Sequence, residues 1–229
     1  MLIEKLKNAY IWLYSIRINK KIFAKDIAKK CPLRIMPGTK IKGLYKGCIE
    51  IDTDNIYKGM IQFGMEQGSF GKRAKKQSVL MFEDNGKIVF TGRADFAATA
   101  EVTVYKDAVL RIDDGFFSNS NVVINVTKGV HIGKNAQIGW NVEIIDTDGH
   151  DICDMDGNKI NYDKPVIIGD DVWIGARASI LKGADITDGC IIGYGSIVTK
   201  RFDEPHSIIT GIPAKQIKNN ITWRREKTI

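Results

Sequence analysis

The 229-residue chain is predicted to fold as an all-β parallel helix of hexapeptide repeats, with an N-terminal helical arm and a short C-terminal tail. The first observation is an aliphatic residue that returns in one six-residue frame: Ile132, Ile138, Ile144, Ile168, Ile174, Ile180, Ile186, Ile192 and Val198. A helix repeats apolar positions near 3.6 and a half-buried strand at 2, whereas a period of six marks short strands coiling round a common core. The second is a set of small or medium residues four positions after the frame, at Ala136, Val142, Val172, Ala178, Ala184, Cys190 and Ser196. The third is glycine directly after the frame at Gly133, Gly139, Gly169, Gly175 and Gly193, read as corners that resist a larger residue. Three hexads then close one triangular coil.

The arm comes first, over residues 1–34. Residues 1–46 hold twelve Lys or Arg against Glu4 and Asp26, so 12 − 2 = +10 of charge precedes a remainder of 7 − 10 = −3. Leu2, Leu6, Ala9, Leu13 and Ile16 have helical spacing, and are read as its packing stripe. The densest apolar run, 9–14, is far shorter than the roughly 20 residues that cross a bilayer. No small-residue cleavage site follows it, so a secretory signal is not read and a cytoplasmic chain is expected. Two uses of residues 1–30 stay open: capping the solenoid, or peripheral contact with an anionic inner membrane face. Basic charge without a base-reading or stacking motif speaks against a nucleic-acid partner.

The solenoid is assigned to 35–202. Its early coils are looser: Phe90, Phe96, Val102 and Ala108 hold the frame, while Lys106 and Asp114 break the pattern. The basic segment 71–76 is read as a loop and 83–86 as a hairpin turn, neither with assigned chemistry. Between Ile144 and Ile168 the frame jumps by 168 − 144 = 24 = 4 × 6, so the register survives an inserted loop at about 146–165. That stretch is rich in Asp, Gly and Asn and contains His150; long excursions from a regular scaffold are usually functional or disordered. Residues 203–229 form the tail. Cys31, Cys48, Cys153 and Cys190 have no CxxC spacing, which suits reduced thiols and gives no expectation of a metal cluster.

Four motifs together carry a resemblance: Asp148-Gly-His150, the run from Ile168 through Trp173 to Ala176, the run from Ile192 to Lys200, and Gly211-Ile-Pro-Ala-Lys215. From about Phe116 to Lys218 the chain resembles the hexapeptide acyltransferases, and within them the galactoside, maltose and polysaccharide O-acetyltransferase branch. The resemblance implies a left-handed coil, a homotrimer, and acetyl-CoA as donor in a groove between subunits, with no metal required. His150 matches the family's catalytic base. Asn119 and Trp173 match acceptor-side positions, with an asparagine ladder and trimer packing as the respective structural alternatives. Gly139 and Ala176 match backbone positions along the pantetheine arm, and Thr199, Lys200, Lys215 and Lys218 match the nucleotide end; Tyr194 stands where the family has a smaller residue near the adenine side, either to stack there or to narrow the groove. Lysine stands at 215 and 218 where the galactoside branch has arginine, which keeps the charge but not the bidentate geometry.

The implied reaction is O-acetylation of a sugar or surface-polysaccharide hydroxyl, with a small-molecule or glycan acceptor. Acetylation of an antibiotic hydroxyl or of an amino sugar are the competing acceptor chemistries, and a non-catalytic trimeric scaffold is the competing class. A zinc hydratase on the same solenoid needs three converging ligands, and His131, His150 and His206 lack that spacing. His131 and His206 are read as surface groups.

Overall fold

In the computed structural model of the protein, residues 2–65 and 77–225 are described; the predicted loop at 71–76 lies outside them. Among the described residues two helices, α1 (Leu2–Ile22) and α2 (Lys25–Lys30), precede a left-handed parallel β-helix of three sheets with nine, seven and seven strands. Each strand pairs in parallel with the third strand before and after it, so three strands make one coil. The first face runs from Leu33–Ile35 to Ile208–Gly211 and is closed by the antiparallel strand Ala214–Lys218. The second face begins at Lys40–Lys42 and the third at Ile49–Ile51.

The frame residues stack in register. Ile138, Ile174 and Ile192 align on the first face, Ile144, Ile180 and Val198 on the second, and Ile132, Ile168 and Ile186 on the third. All are buried, and burying one such side chain contributes about 1.5–3 kcal/mol. In the upper coils one turn takes 186 − 168 = 18 residues.

Lower down the coils are wider, and this displaces the expected frame. Phe90 aligns with Ile112, a step of 22 residues, and Ile112 with Ile132, a step of 20. Ala108 is buried, but the third-face strand is Val109–Ile112 and Ile112, not Ala108, takes the frame position. A longer perimeter encloses a wider cross-section, which is filled by rings: Phe63, Phe90 and Phe116 lie 5.1, 6.4 and 4.8 Å from Phe96. Residues 83–86 do not make a hairpin. They turn the corner between Val79–Phe82 on the second face and Lys87–Phe90 on the third.

The corners also revise the role of the glycines. Left-handed φ occurs three positions after the frame, at Asn135, Asn141, Asp171, Gly183, Gly189 and Gly195, and unexpectedly at Arg177. The glycines directly after the frame have no positive φ. A Cβ on Gly139 would lie 2.5 Å from the Ala176 nitrogen, and one on Gly175 2.7 Å from the Ile192 oxygen. They are glycine because adjacent coils approach so closely there.

The arm is helical over Leu2–Ile22 and Lys25–Lys30, its last two residues, 33 and 34, already belong to the first strand, and its packing face is not the expected stripe. Ile11, Ser15, Asn19 and Ile22 are buried, while Leu2, Leu6, Leu13 and Ile16 are exposed. The inward face is selected by hydrogen bonding. Asn19 donates from Nδ2 to the Leu33 oxygen (2.7 Å) and accepts the Leu33 amide (3.1 Å), and Ser15 Oγ accepts the Ile35 amide (3.0 Å). Leu33–Ile35 is the free edge of the first face, and side chains of α1 satisfy groups that a next coil would otherwise bond. At the other end the parallel coil continues past residue 202, because Ile208–Gly211 adds to the first face beside Ile191–Ile192.

Candidate active site

Residues 146–165 leave the prism between Glu143–Ile145 on the second face and Val166–Ile168 on the third. The excursion is anchored at its base by Asp146. Its buried carboxylate accepts the amides of Thr127 (2.7 Å) on Oδ1 and of Lys128 (2.8 Å) and Gly129 (2.6 Å) on Oδ2. Burial pushes this carboxyl up, and the three amides, which act in the opposite sense, do not cancel that rise.

Farther out the two legs of the excursion pair. Ile160 donates to the Ile152 oxygen (2.8 Å), Asp154 to the Asn158 oxygen (2.9 Å), and Gly157 turns the tip at positive φ. Asn161 braces the segment that carries His150. Its Nδ2 donates to the His150 oxygen (2.8 Å) and to Asp148 Oδ2 (2.7 Å), and its Oδ1 accepts the Ile152 amide (2.6 Å). Asp148 is also ion-paired with Lys182 of the next coil. The Lys182 ammonium and the Asn161 amide hold the Asp148 carboxyl below its usual range. The backbone on both sides of His150 is thus tied down, while its side chain is exposed and has no hydrogen-bond partner among the described residues.

The same corner continues upward. Ile144, Ile180 and Val198 are in register, so Lys182 and Lys200 each leave the prism at the edge from which the His150 excursion departs. Thr199 and Lys200 are exposed, with the Lys200 ammonium 5.4 Å from the Phe202 ring centre.

Asn119, Gly139, Ala176 and Tyr194 come together at the other end of the second face. Ser118, Ile138, Ile174 and Ile192 align, and these four residues follow them at the first corner. Asn119 is half-buried, and its Nδ2 donates to the Ile138 oxygen (3.3 Å). The asparagine ladder exists one step away, from Asn121 to Asn141 (3.1 Å). Tyr194 is exposed, with the Arg177 guanidinium 5.9 Å from its ring centre. Arg177 was not singled out from sequence, although an arginine where neighbouring coils use Asn, Asp or Gly at left-handed φ is a readable irregularity.

Trp173 stands half-exposed on the outer first face, and its ring centre is 6.1 Å from that of Trp223. The tail crosses back over this face: Ile221 donates to the His206 oxygen, Trp223 Nε1 to the Asp171 oxygen (2.6 Å), and Arg225 lies over Phe117. Lys215 and Lys218 are exposed on the closing strand of the first face. Within one chain they do not join Lys200, which leaves from the corner between the second and third faces. His131 lies at the surface with its side chain 45% exposed, and its Nε2 is 2.8 Å from Asp113 Oδ2. Among the described residues no three His, Cys, Asp or Glu side chains converge to hold a metal ion.

The model of the bacterial transferase hexapeptide family (six repeats) matches residues 165–200. The galactoside O-acetyltransferase of Escherichia coli strain K12 is 36% identical over 110 residues, covering 48% of this chain and 53% of that protein. A Dictyostelium discoideum protein named as an acetyltransferase is 34% identical over 132 residues, covering 54% of this chain and 68% of that one. This chain belongs to the hexapeptide-repeat transferase family. The solved structure of the polysialic acid O-acetyltransferase OatWY resembles it with a TM-score of 0.62 at 25% identity, over 85% of this chain and 88% of that one. The chain spans about half the length of the first curated relatives that it matches. The segment matched to the hexapeptide family model carries Trp173, Ala176, Tyr194, Thr199 and Lys200, and begins where the His150 excursion returns to the prism.

Proposed function

We propose that the protein is an acetyl-CoA-dependent O-acetyltransferase acting on a hydroxyl of a sugar or surface-polysaccharide unit, with His150 as general base. The braced excursion carries this reading. A base that must reach an acceptor's proton has to be held in place by its backbone and yet keep its ring free, and Asn161, Asp148 and Lys182 provide that combination. Histidine is the side chain that most readily exchanges a proton near neutral pH. The imidazole takes the acceptor hydroxyl's proton as that oxygen attacks the thioester carbonyl. The carbon–sulfur bond then breaks, and the proton passes to the departing thiolate.

The distribution of the other residues supports a homotrimer. The edge with His150, Thr199 and Lys200 and the edge with Asn119, Gly139, Ala176 and Tyr194 lie at opposite ends of the second face. Three prisms standing side by side would set one edge of each chain against another edge of its neighbour, giving three equivalent clefts. In such a cleft the close-packed backbone at Gly139 and Ala176 lines the pantetheine arm. Tyr194, Thr199, Lys200, Lys215 and Lys218 offer a ring, a hydroxyl and cations to the nucleotide and its phosphates. Asn119 and Trp173 face the acceptor. A glycan acceptor is favoured because the relatives bear the names galactoside and polysialic acid O-acetyltransferase.

Thiol release from acetyl-CoA, with mass spectrometry of a panel of sugars and glycans, tests the reading. Replacing His150 by Ala should lower kcat by roughly 10² to 10⁴ while leaving acetyl-CoA affinity and thermal stability near wild type. Full turnover in that variant would remove His150 from the chemistry.

A further inference from the structure

Helix α1 turns Ile11, Ser15, Asn19 and Ile22 inward and leaves an apolar side uncovered. Hydrogen bonds between coils of a parallel β-helix run along its axis. Ser15 and Asn19 bond to the free edge of Leu33–Ile35, so α1 lies axially beyond the first coil and its opposite side faces away from the solenoid end. That outward side carries Leu2, Ile3, Leu6, Tyr10 and Leu13, with relative exposures of 71, 82, 61, 62 and 63%. At 100° per residue, Arg17 and Lys20 fall on the same side and Lys5, Lys7 and Lys21 on its flanks. Residues 2–30 contain eight Lys or Arg and two acidic residues, a local charge of 8 − 2 = +6, although the whole chain carries only +7.

We infer that this end of the solenoid is a docking surface for an anionic lipid bilayer. An apolar stripe over residues 2–13, continued by Arg17 and Lys20 on the same side and flanked by other lysines, suits a helix lying in the interface plane, with its leucines among the acyl chains and its cations at acidic headgroups. The helix does not insert across the bilayer, since among the described residues none is long and apolar enough to do so. Charge selects the occupant. A second copy docked through the same face would bring two strongly basic surfaces together, whereas an anionic bilayer neutralises them. The firm attachment of α1 through Ser15 and Asn19 presents the stripe as a fixed surface, so little ordering accompanies binding. This inference is independent of the catalytic reading. Should three prisms stand side by side in parallel, three such helices would face the same bilayer and their binding would reinforce one another.

Co-sedimentation of the full chain with phosphatidylcholine vesicles, with and without phosphatidylglycerol, tests it. Binding should require the anionic lipid and weaken at high salt. Leu6→Glu combined with Leu13→Glu should reduce the bound fraction more than roughly tenfold. Both residues are exposed, so the variant's melting temperature and acetyl transfer to a soluble acceptor should match wild type. Wild type that ignores anionic vesicles, or a double variant that binds them equally well, overturns the inference. It is also overturned if wild type sediments as a larger assembly that the double variant dissociates, because the stripe would then be covered by another copy.

Discussion

Replacement of Asp146 by Ala tests how the excursion is held. The carboxylate is fully buried and takes three amide protons at 2.6–2.8 Å, so its removal orphans the N–H groups of Thr127, Lys128 and Gly129. Each orphaned amide costs about 1–3 kcal/mol, less where water can reach it. Removing a buried carboxylate returns part of its desolvation cost. The balance is a loss of about 2–4 kcal/mol, equivalent for a chain of this size to a fall of roughly 4–16 °C in melting temperature. Guanidinium unfolding followed by circular dichroism, at one fixed protein concentration, measures it. Asp146→Asn keeps one acceptor oxygen but points an amide at a donor, and should lose less than Ala. Burial raises the Asp146 carboxyl above its usual value of 3.8, so the folded chain holds that proton more tightly than the unfolded one. The wild-type advantage over Asn should therefore shrink as pH rises from that value through the folded pKa. An Ala variant that loses under about 1 kcal/mol would refute the anchoring role, since the three amides would then be equally well satisfied by solvent.

Three further outcomes are expected. Charge reversal in Lys200→Glu should raise the acetyl-CoA KM far more than it lowers kcat, and should matter less for a truncated donor without the nucleotide; equal losses with both donors would place Lys200 elsewhere. Sedimentation equilibrium should give a trimer, and a stable monomer at micromolar concentration would remove the shared cleft. Although burial acts to raise Asp113, its bonds to His131 and Thr91 and the charges of His131 and Arg111 hold it below its usual value. Its stabilisation is present above that value and lost as pH falls through the folded pKa, so the melting difference between wild type and Asp113→Asn should narrow on acidification.

The upper coils were readable because 18-residue turns stack isoleucine on isoleucine, which a fixed period of six detects. The lower coils were not, since turns of 22 and 20 residues move the inward position from Ala108 to Ile112 without changing the composition of the strand. The arm misled for a different reason. An apolar count finds Leu2, Leu6, Ala9, Leu13 and Ile16, but two polar residues decide which side of α1 turns inward. The first strand has an open edge, and Ser15 and Asn19 can bond it where leucine cannot. Hydrophobic periodicity has no means of registering that demand.

The site divides along the same line. The excursion that carries the candidate His150 was legible because the frame jumps there, whereas the contacts of Asn161, Lys182 and Trp223 span 11, 34 and 52 residues of sequence and exist only once the coils are stacked. Arg177 lies between these cases. Its φ of 61° is one that the neighbouring corners assign to Asn135, Asn141, Asp171, Gly183, Gly189 and Gly195, residues that enter the left-handed region readily. An arginine held there carries backbone strain; its amide bonds the Trp140 oxygen of the adjacent coil (2.8 Å), while its side chain is exposed with the guanidinium near Tyr194. Strain of this kind persists where the rest of the fold enforces it and clusters at functional sites. At an edge already lined by Gly139, Ala176 and Tyr194, the group gained in exchange is a guanidinium beside an exposed ring. That pairing is suited to phosphates and a planar base, so, if the proposed acetyl-CoA reading holds, Arg177→Ala should raise the acetyl-CoA KM.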